Sequence, residues 1–376
     1  MGFGVPLIVL SSLGLVLTVP LFVWHGMSRN IPALSLIVWL FLMNLEILVS
    51  ASIWSWGNFL TVFDGYGWCD VMIKLHTGAV PGILSCVSAI CFNLWVVLSG
   101  SEFTSRWMAM STRKKIAIDL ASCWTLPIVL IGLSYIVQVF RFFVLKYSGC
   151  VAVVAQTYVT ILIYSVWLLI ASLFASVFAG LTLYQFFLRR KDASDLMKCS
   201  NSGLTLRRFC RLLVFCIMVI LVMLPVSIYT FVVDVRYALP HFSWSEIHDP
   251  NLWIGLVIND DSVKPIYDRW IYPLLTFATF FIFGLGTEAL LMYKRVLVCL
   301  GIHGLYRKVI RKNLEDEYKE QYSDQERTEI ESSQFTKYED TGKSNLICGS
   351  SHFEDDEKSL GSINMNYFLR SPDDKV

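Results

Sequence analysis

Among the ionisable side chains inside stretches that are otherwise apolar, Glu46, Lys74, His76 and Glu288 stand out, with Asn44 close to the first. An ionisable group in hydrocarbon is expensive, so it is retained to pair with another group or to do work. Three kinds of work are open to these residues: a polar knot between helices, an anchor for a ligand, or a step in a proton relay. A relay needs several such groups aligned across the membrane, and one central carboxylate, Glu46, is thin support for it. Glu46 and Lys74 are of opposite sign and offer themselves as a pair, although their depths along their runs differ. Cysteine offers a second chemistry. Most of the 10 thiols lie in apolar runs or beside basic loops, where they behave as small hydrophobes. Cys69 and Cys150 instead sit in loops of the opposite side. An oxidising exterior permits a bridge between them, and two free thiols is the alternative. There is no Ser-His-Asp set, paired-carboxylate site, HExxH, CxxC or Cys/His cluster. Gly342-Lys343-Ser344 imitates the end of a phosphate loop, but the earlier glycine that loop requires is Lys337. The sequence therefore leads us to expect no enzyme, no cofactor, no metal site and no nucleic-acid partner.

The elements that must position these residues are seven apolar runs. They cover roughly Val5–Trp24, Ala33–Trp56, Val71–Ser99, Ile116–Phe140, Thr157–Phe187, Leu212–Val233 and Trp270–Met292. A helix crosses a bilayer with about 20 apolar residues. Over its 376 residues the chain is 55% hydrophobic and 16% charged, against about 25% charged in soluble domains. The fold class expected is an all-α membrane protein, a seven-transmembrane helix bundle. The first run has no basic segment before it and reads as a retained signal anchor. Basic residues in short loops mark the inner side. Arg106, Arg113, Lys114 and Lys115 follow span three, and Arg190, Lys191, Arg207, Arg208 and Arg211 lie between spans five and six. The loop before span seven is acidic on balance. The N-terminus is thus placed outside and the C-terminus inside.

Residues 1–293 form the bundle, 294–312 mix apolar and basic residues as a membrane-surface segment does, and 313–376 read as a disordered cytoplasmic tail. In span five Ala171, Ala175 and Ala179 share one face, as a packing seam would. Pro225 interrupts span six above Arg207, Arg208 and Arg211. It is the candidate hinge, with the basic end swinging while the outer half stays packed.

Short strings at the ends of the runs carry a resemblance. They are Trp24-His25, Asn30-Ile-Pro-Ala33, Met43-Asn44-Leu45, Asp64-Gly-Tyr-Gly-Trp-Cys-Asp70 and Ile73-Lys74-Leu75. Further on come Ser134-Tyr135, Gln138-Val-Phe-Arg141, Arg190-Lys191-Asp192, Asn201-Ser-Gly-Leu204, Arg207-Arg208-Phe209, Pro265-Ile-Tyr267 and Phe283-Gly-Leu-Gly286. This ordered set, over roughly Val5 to Tyr293, resembles the fungal a-factor mating-pheromone receptors, which are family D G-protein-coupled receptors. The resemblance implies a secreted ligand with a farnesylated, methyl-esterified C-terminal cysteine, a heterotrimeric G protein as partner, a plasma-membrane location and room for a homodimer. A lipidated peptide needs an apolar slot and polar anchors near the outer surface. Candidate contacts are the aromatics Trp54, Trp56, Tyr135, Tyr229, Tyr267 and Trp270, and the polar residues Glu46, Lys74, His76, Gln138, Arg141, Asp234 and Asp268. Candidate G-protein contacts are Arg113, Lys114, Lys115, Arg190, Lys191, Arg207, Arg208 and Arg211. The rival class is a small transporter or proton-coupled carrier, for which Glu46 and the proline-broken spans are the best support; no inverted repeat is visible.

Overall fold

Helix α1 (Gly4–Met27) shows how a bilayer sorts one sequence into two faces. Leu7, Ser11, Gly14, Thr18, Leu21 and His25 recur every three or four residues and are buried, while Val9, Leu13, Val16, Val19 and Val23 stay exposed. An exposed valine stripe of this length is a lipid-facing surface. The structure, a computed structural model, describes residues 3–56, 62–99, 102–188, 206–254, 257–259 and 267–284. After α1 come α2 (Ile31–Trp54), α3 (Trp68–Ser99), the short α4 (Glu102–Ala109) and α5 (Thr112–Leu133), which runs on through a 3-10 turn, Ser134–Val137. Strands β1 (Phe143–Leu145) and β2 (Gly149–Val151) precede α6 (Tyr158–Leu188) and α7 (Leu206–Tyr237). The short α8 (Trp244–Ile247), α9 (Pro250–Ile254) and β3 (Val257–Asn259) lead to α10 (Asp268–Thr279), continued by a π turn, Phe280–Gly284.

Six of these helices, α1, α2, α3, α5, α6 and α7, are long and apolar enough to cross a membrane. Helix α10 begins the seventh; Glu288 and the rest of that run lie outside the described residues, as do Arg190, Lys191 and the segments 294–312 and 313–376. Asn30 starts α2 by accepting from the Ala33 amide at 3.3 Å, and Pro32 sits in the first turn, where a missing N–H is harmless.

Helix α3 is the axis of the bundle. It packs on α2, α5, α6 and α7, while α1 closes against α2 and α10. Of the most apolar window of α3, 78% is buried, against 17% for α5, so α3 serves as core and α5 as wall. Trp39 lies so close over α3 that a Cβ on Gly82 would stand 2.4 Å from its ring. The same indole stacks on Trp124 at 5.0 Å. Toward the far end, Phe209, Phe215 and Phe283 are buried, and the Phe215 and Phe283 rings meet at 5.0 Å.

The strands form a small sheet in the order β2-β1-β3, β1 antiparallel to β2 and parallel to β3. Only β2 falls in the long charge-free run 147–188, and alternation there does not announce it. The loop joining β1 to β2 turns at Tyr147, φ 66°. Gly149, φ +69°, lets the hairpin touch α2, since a Cβ there would lie 2.4 Å from Ser50. Sequence placed the mobility of span six at its basic end. In the structure that half of α7 is the packed one, with Phe209, Leu212, Phe215, Cys216, Val219 and Met223 buried. Within α7 beyond Pro225, only Ser227 among the described residues is buried.

Candidate functional site

The site begins with a covalent staple. Cys69, in the first turn of α3, is disulfide-bonded to Cys150 in β2. The bridge anchors the sheet over one end of the bundle. Trp54, Ile73, Phe142 and Val144 pack around the sulfurs as a small apolar cluster. The N-terminus lies at the same end: the Phe3 ring meets Tyr147 edge-on at 6.2 Å. We call this the disulfide end, and the opposite one, carrying Arg113, Lys114, Lys115 and Arg211, the basic end.

Beneath the staple runs a buried ionic chain. Glu46 is paired with Arg269, each about 1% exposed. The second guanidinium arm donates to the Cys150 carbonyl at 2.8 Å, and the other Glu46 oxygen accepts from Ser50 at 3.0 Å. Arg269 Nε stands 3.9 Å from Asp268, which contacts His76 Nε2 at 3.1 Å. The His76 ring meets Tyr272 edge-on at 5.9 Å. One arginine therefore ties α2, α10 and the hairpin together. The pairing that opposite signs left open between Glu46 and Lys74, at differing depths, does not form. Lys74 turns to the end of α5, donating to Ser134 Oγ at 3.0 Å and Gln138 Oε1 at 2.6 Å, with its ammonium 5.9 Å from the Tyr135 ring centre. A cavity of about 10 Å³, room for one water, adjoins it between Thr77 and Val154.

Lys74 differs from two nearby cations, Arg269 and Arg141. Arg269 has Glu46 and Asp268. Arg141 has Asp70, in a bidentate pair at 2.7 Å for both bonds, and stacks over Tyr66 at 4.8 Å. The Asp70 hydrogen bonds hold the Arg141 guanidinium above its already high ordinary pKa. Among the described residues Lys74 has only neutral acceptors.

The remaining candidates divide. Trp54 is fully buried and donates to the Phe63 carbonyl at 3.1 Å, so it belongs to the apolar cluster rather than to an open surface. Asp234 accepts from Ser165, linking α7 to α6. Tyr135 packs beside His248 and Trp253, and Trp270 packs against the core. Trp56, Tyr229 and Tyr267 are exposed. Arg113, Lys114 and Lys115 occupy the first turn of α5, and Arg207 and Arg208 that of α7; Arg211, one turn on, is half-buried.

Sequence reasoning missed Arg269, Asp70, and the tie between Asn93 of α3 and Asp119 of α5 at 3.2 Å. Arg269 had been lost between an acidic loop and a span drawn from Trp270. Its signal was a lone arginine opening an apolar run while a lone carboxylate waited in another. No group able to hold a metal ion occurs among the described residues.

Six membrane-length apolar helices and the start of a seventh, a disulfide-stapled sheet and a buried polar chain beneath it define a multi-span helical membrane protein. The family pattern of the STE3 pheromone A receptors matches residues 6–301, and the chain belongs to that family. It is 41% identical over 318 residues to the pheromone a factor receptor of Saccharomyces cerevisiae, covering 84% of this chain and 67% of that one. It is 28% identical over 305 residues to the pheromone B beta 1 receptor of Schizophyllum commune, covering 78% of this chain and 54% of that one. Pheromone receptor 1 of Mycosarcoma maydis is 26% identical over 282 residues, covering 73% of this chain and 78% of that receptor. The match thus spans about two thirds of the yeast relative and half of the Schizophyllum one.

Proposed function

We propose that this chain is a plasma-membrane G-protein-coupled receptor. In this reading it binds a secreted, farnesylated peptide pheromone at its disulfide end and activates a heterotrimeric G protein at its basic end. Membership of the pheromone-receptor family supports the class, and the likeness to the yeast a factor receptor supports the ligand. The observation that carries the mechanism is the Cys150–Arg269–Glu46 link. A ligand that shifts the hairpin acts on a carbonyl bonded to Arg269, and through it on α2 and α10. Only a ligand that prefers one of two arrangements can signal. Lys74 is the anchor we assign to an acceptor group of the peptide, because its charge has no carboxylate partner among the described residues. Burying a prenyl chain nearby contributes about 0.8 kcal/mol per methylene.

At the basic end, three cations in the first turn of α5 oppose the helix dipole and so weaken the helix that carries them. Their use therefore lies outside the helix, at lipid headgroups or an acidic partner such as the G protein. Pro225 remains our hinge, with the less packed half of α7 beyond it as the moving part. Unchanged signalling in Pro225→Ala would remove it. The carrier reading loses its main support, since Glu46 is held by Arg269 and Ser50. The deciding experiment expresses the chain in a reporter cell and adds prenylated or unprenylated synthetic pheromone. A response that needs the prenyl group and the G protein supports the receptor; solute flux without G protein overturns it.

A further inference from the structure

Away from the ionic chain, a cavity of about 450 Å³ opens between α5 and α6 over a floor made by α3. That volume falls within the roughly 300–1,000 Å³ of small-molecule sites. Its floor is Ser85, Ser88 and Ala89, all buried. Its rim includes Ile118, Trp167, Ile170 and Phe174, all exposed and apolar, so the opening faces the hydrocarbon and not water. Each helix lends a window of about seven to nine residues, 85–92, 118–126 and 167–174, which makes the groove on the order of 10 Å long at 1.5 Å per residue.

Two features make this more than a seam filled by lipid tails. First, the walls carry flat rings: Phe92, Trp107, Trp167 and Phe174. Second, a polar head closes the groove toward the basic end. Asp119 and Ser122 line it there. One Asp119 oxygen accepts from Asn93 at 3.2 Å, and Ser122 donates to the Asp119 main-chain carbonyl at 2.9 Å. A carboxyl group offers about four lone-pair positions, so acceptor capacity remains at this head. A phospholipid would bring its phosphate to Lys115 as well as to the carboxylate of Asp119, but it also brings two flexible chains to be ordered. A rigid apolar body with one neutral hydroxyl donor loses little entropy on binding and matches both head and walls.

We propose that this groove binds a membrane sterol, the sterol hydroxyl donating to Asp119 and the ring system lying between Trp167, Phe174 and Leu126. The site is independent of the pheromone reading. It is tested on the full chain in phosphatidylcholine nanodiscs with a photoreactive, clickable sterol and peptide mapping of the label. Label should concentrate in 85–92, 118–126 and 167–174. Excess free sterol should suppress it, and the sterol methyl ether, which cannot donate, should not. Asp119→Ala should lower labelling about tenfold, as expected for a hydrogen bond to a charged group. Ala171→Trp fills the groove while leaving the Asp119 carboxyl in place and should lower it as well, which keeps the test valid if the Asp119 variant folds poorly. Label spread evenly over the lipid-facing helices overturns the proposal. So does equal competition by the methyl ether, or equal labelling of the groove by a photoreactive phosphatidylcholine.

Discussion

The two ends of the bundle are held by different forces. At the disulfide end, α2, α3, α10 and the hairpin meet through a disulfide, a buried ion pair and directional hydrogen bonds around a small apolar cluster. Toward the basic end, the helices meet through phenylalanine, tryptophan and aliphatic side chains, as at Phe186 stacked on Phe209 and Phe215 against Phe283. Directional contacts are made or broken in discrete steps, whereas apolar contacts tolerate small slides. A bundle built this way is suited to sense a change where α2, α10 and the hairpin are tied, with the loosely packed half of α7 beyond Pro225 as the part that gives.

Four sets of substitutions sharpen that contrast. Arg269→Met strands Glu46 in a dry site and should destabilise the receptor by about 3–5 kcal/mol, read as a lower thermal midpoint in detergent. Adding Glu46→Gln should recover much of the loss; no recovery would mean that the pair is not the reason for it. Removing the staple with Cys69→Ser and Cys150→Ser should cost about 2–5 kcal/mol, because the bridge closes a separation of 81 residues in the unfolded chain. An unchanged midpoint under reducing conditions would contradict this. Lys74→Gln keeps a polar head without charge. It should lower pheromone potency about tenfold, with surface expression retained; equal potency removes Lys74 as an anchor. Replacing Arg113, Lys114 and Lys115 with Gln should shift stability by less than about 0.5 kcal/mol, as for ordinary surface positions. The same change should reduce G-protein activation, and full activation at normal surface levels would leave those charges to membrane topology alone.

Much of this was legible because a bilayer imposes its rule locally. Each span satisfies its own backbone and must be apolar along its own length, so the helices, and Cys69 and Cys150 on one side of them, can be read in order along the chain. Glu46 could be recognised as a costly residue on the same ground. Its partner could not, because Arg269 lies 223 positions away and only the packing of α10 against α2 brings it there. The short strands escaped for a related reason: three residues carry too little alternation to show, and their pairing crosses from 143–151 to 257–259. Asp119 near the start of α5 was passed over as one charge in a mostly apolar run, since nothing in the local sequence shows Asn93 beside it.

The sequence alone therefore determined which segments are apolar and long enough to enter a membrane, which loops are basic and which acidic, and which family the ordered strings resemble. These depend on composition along the chain. Tertiary structure decided which charges are neighbours, how Lys74 comes to have only neutral partners among the described residues, and which half of α7 is packed. Those are settled by helix crossings, which place residues from distant turns within a hydrogen bond of one another.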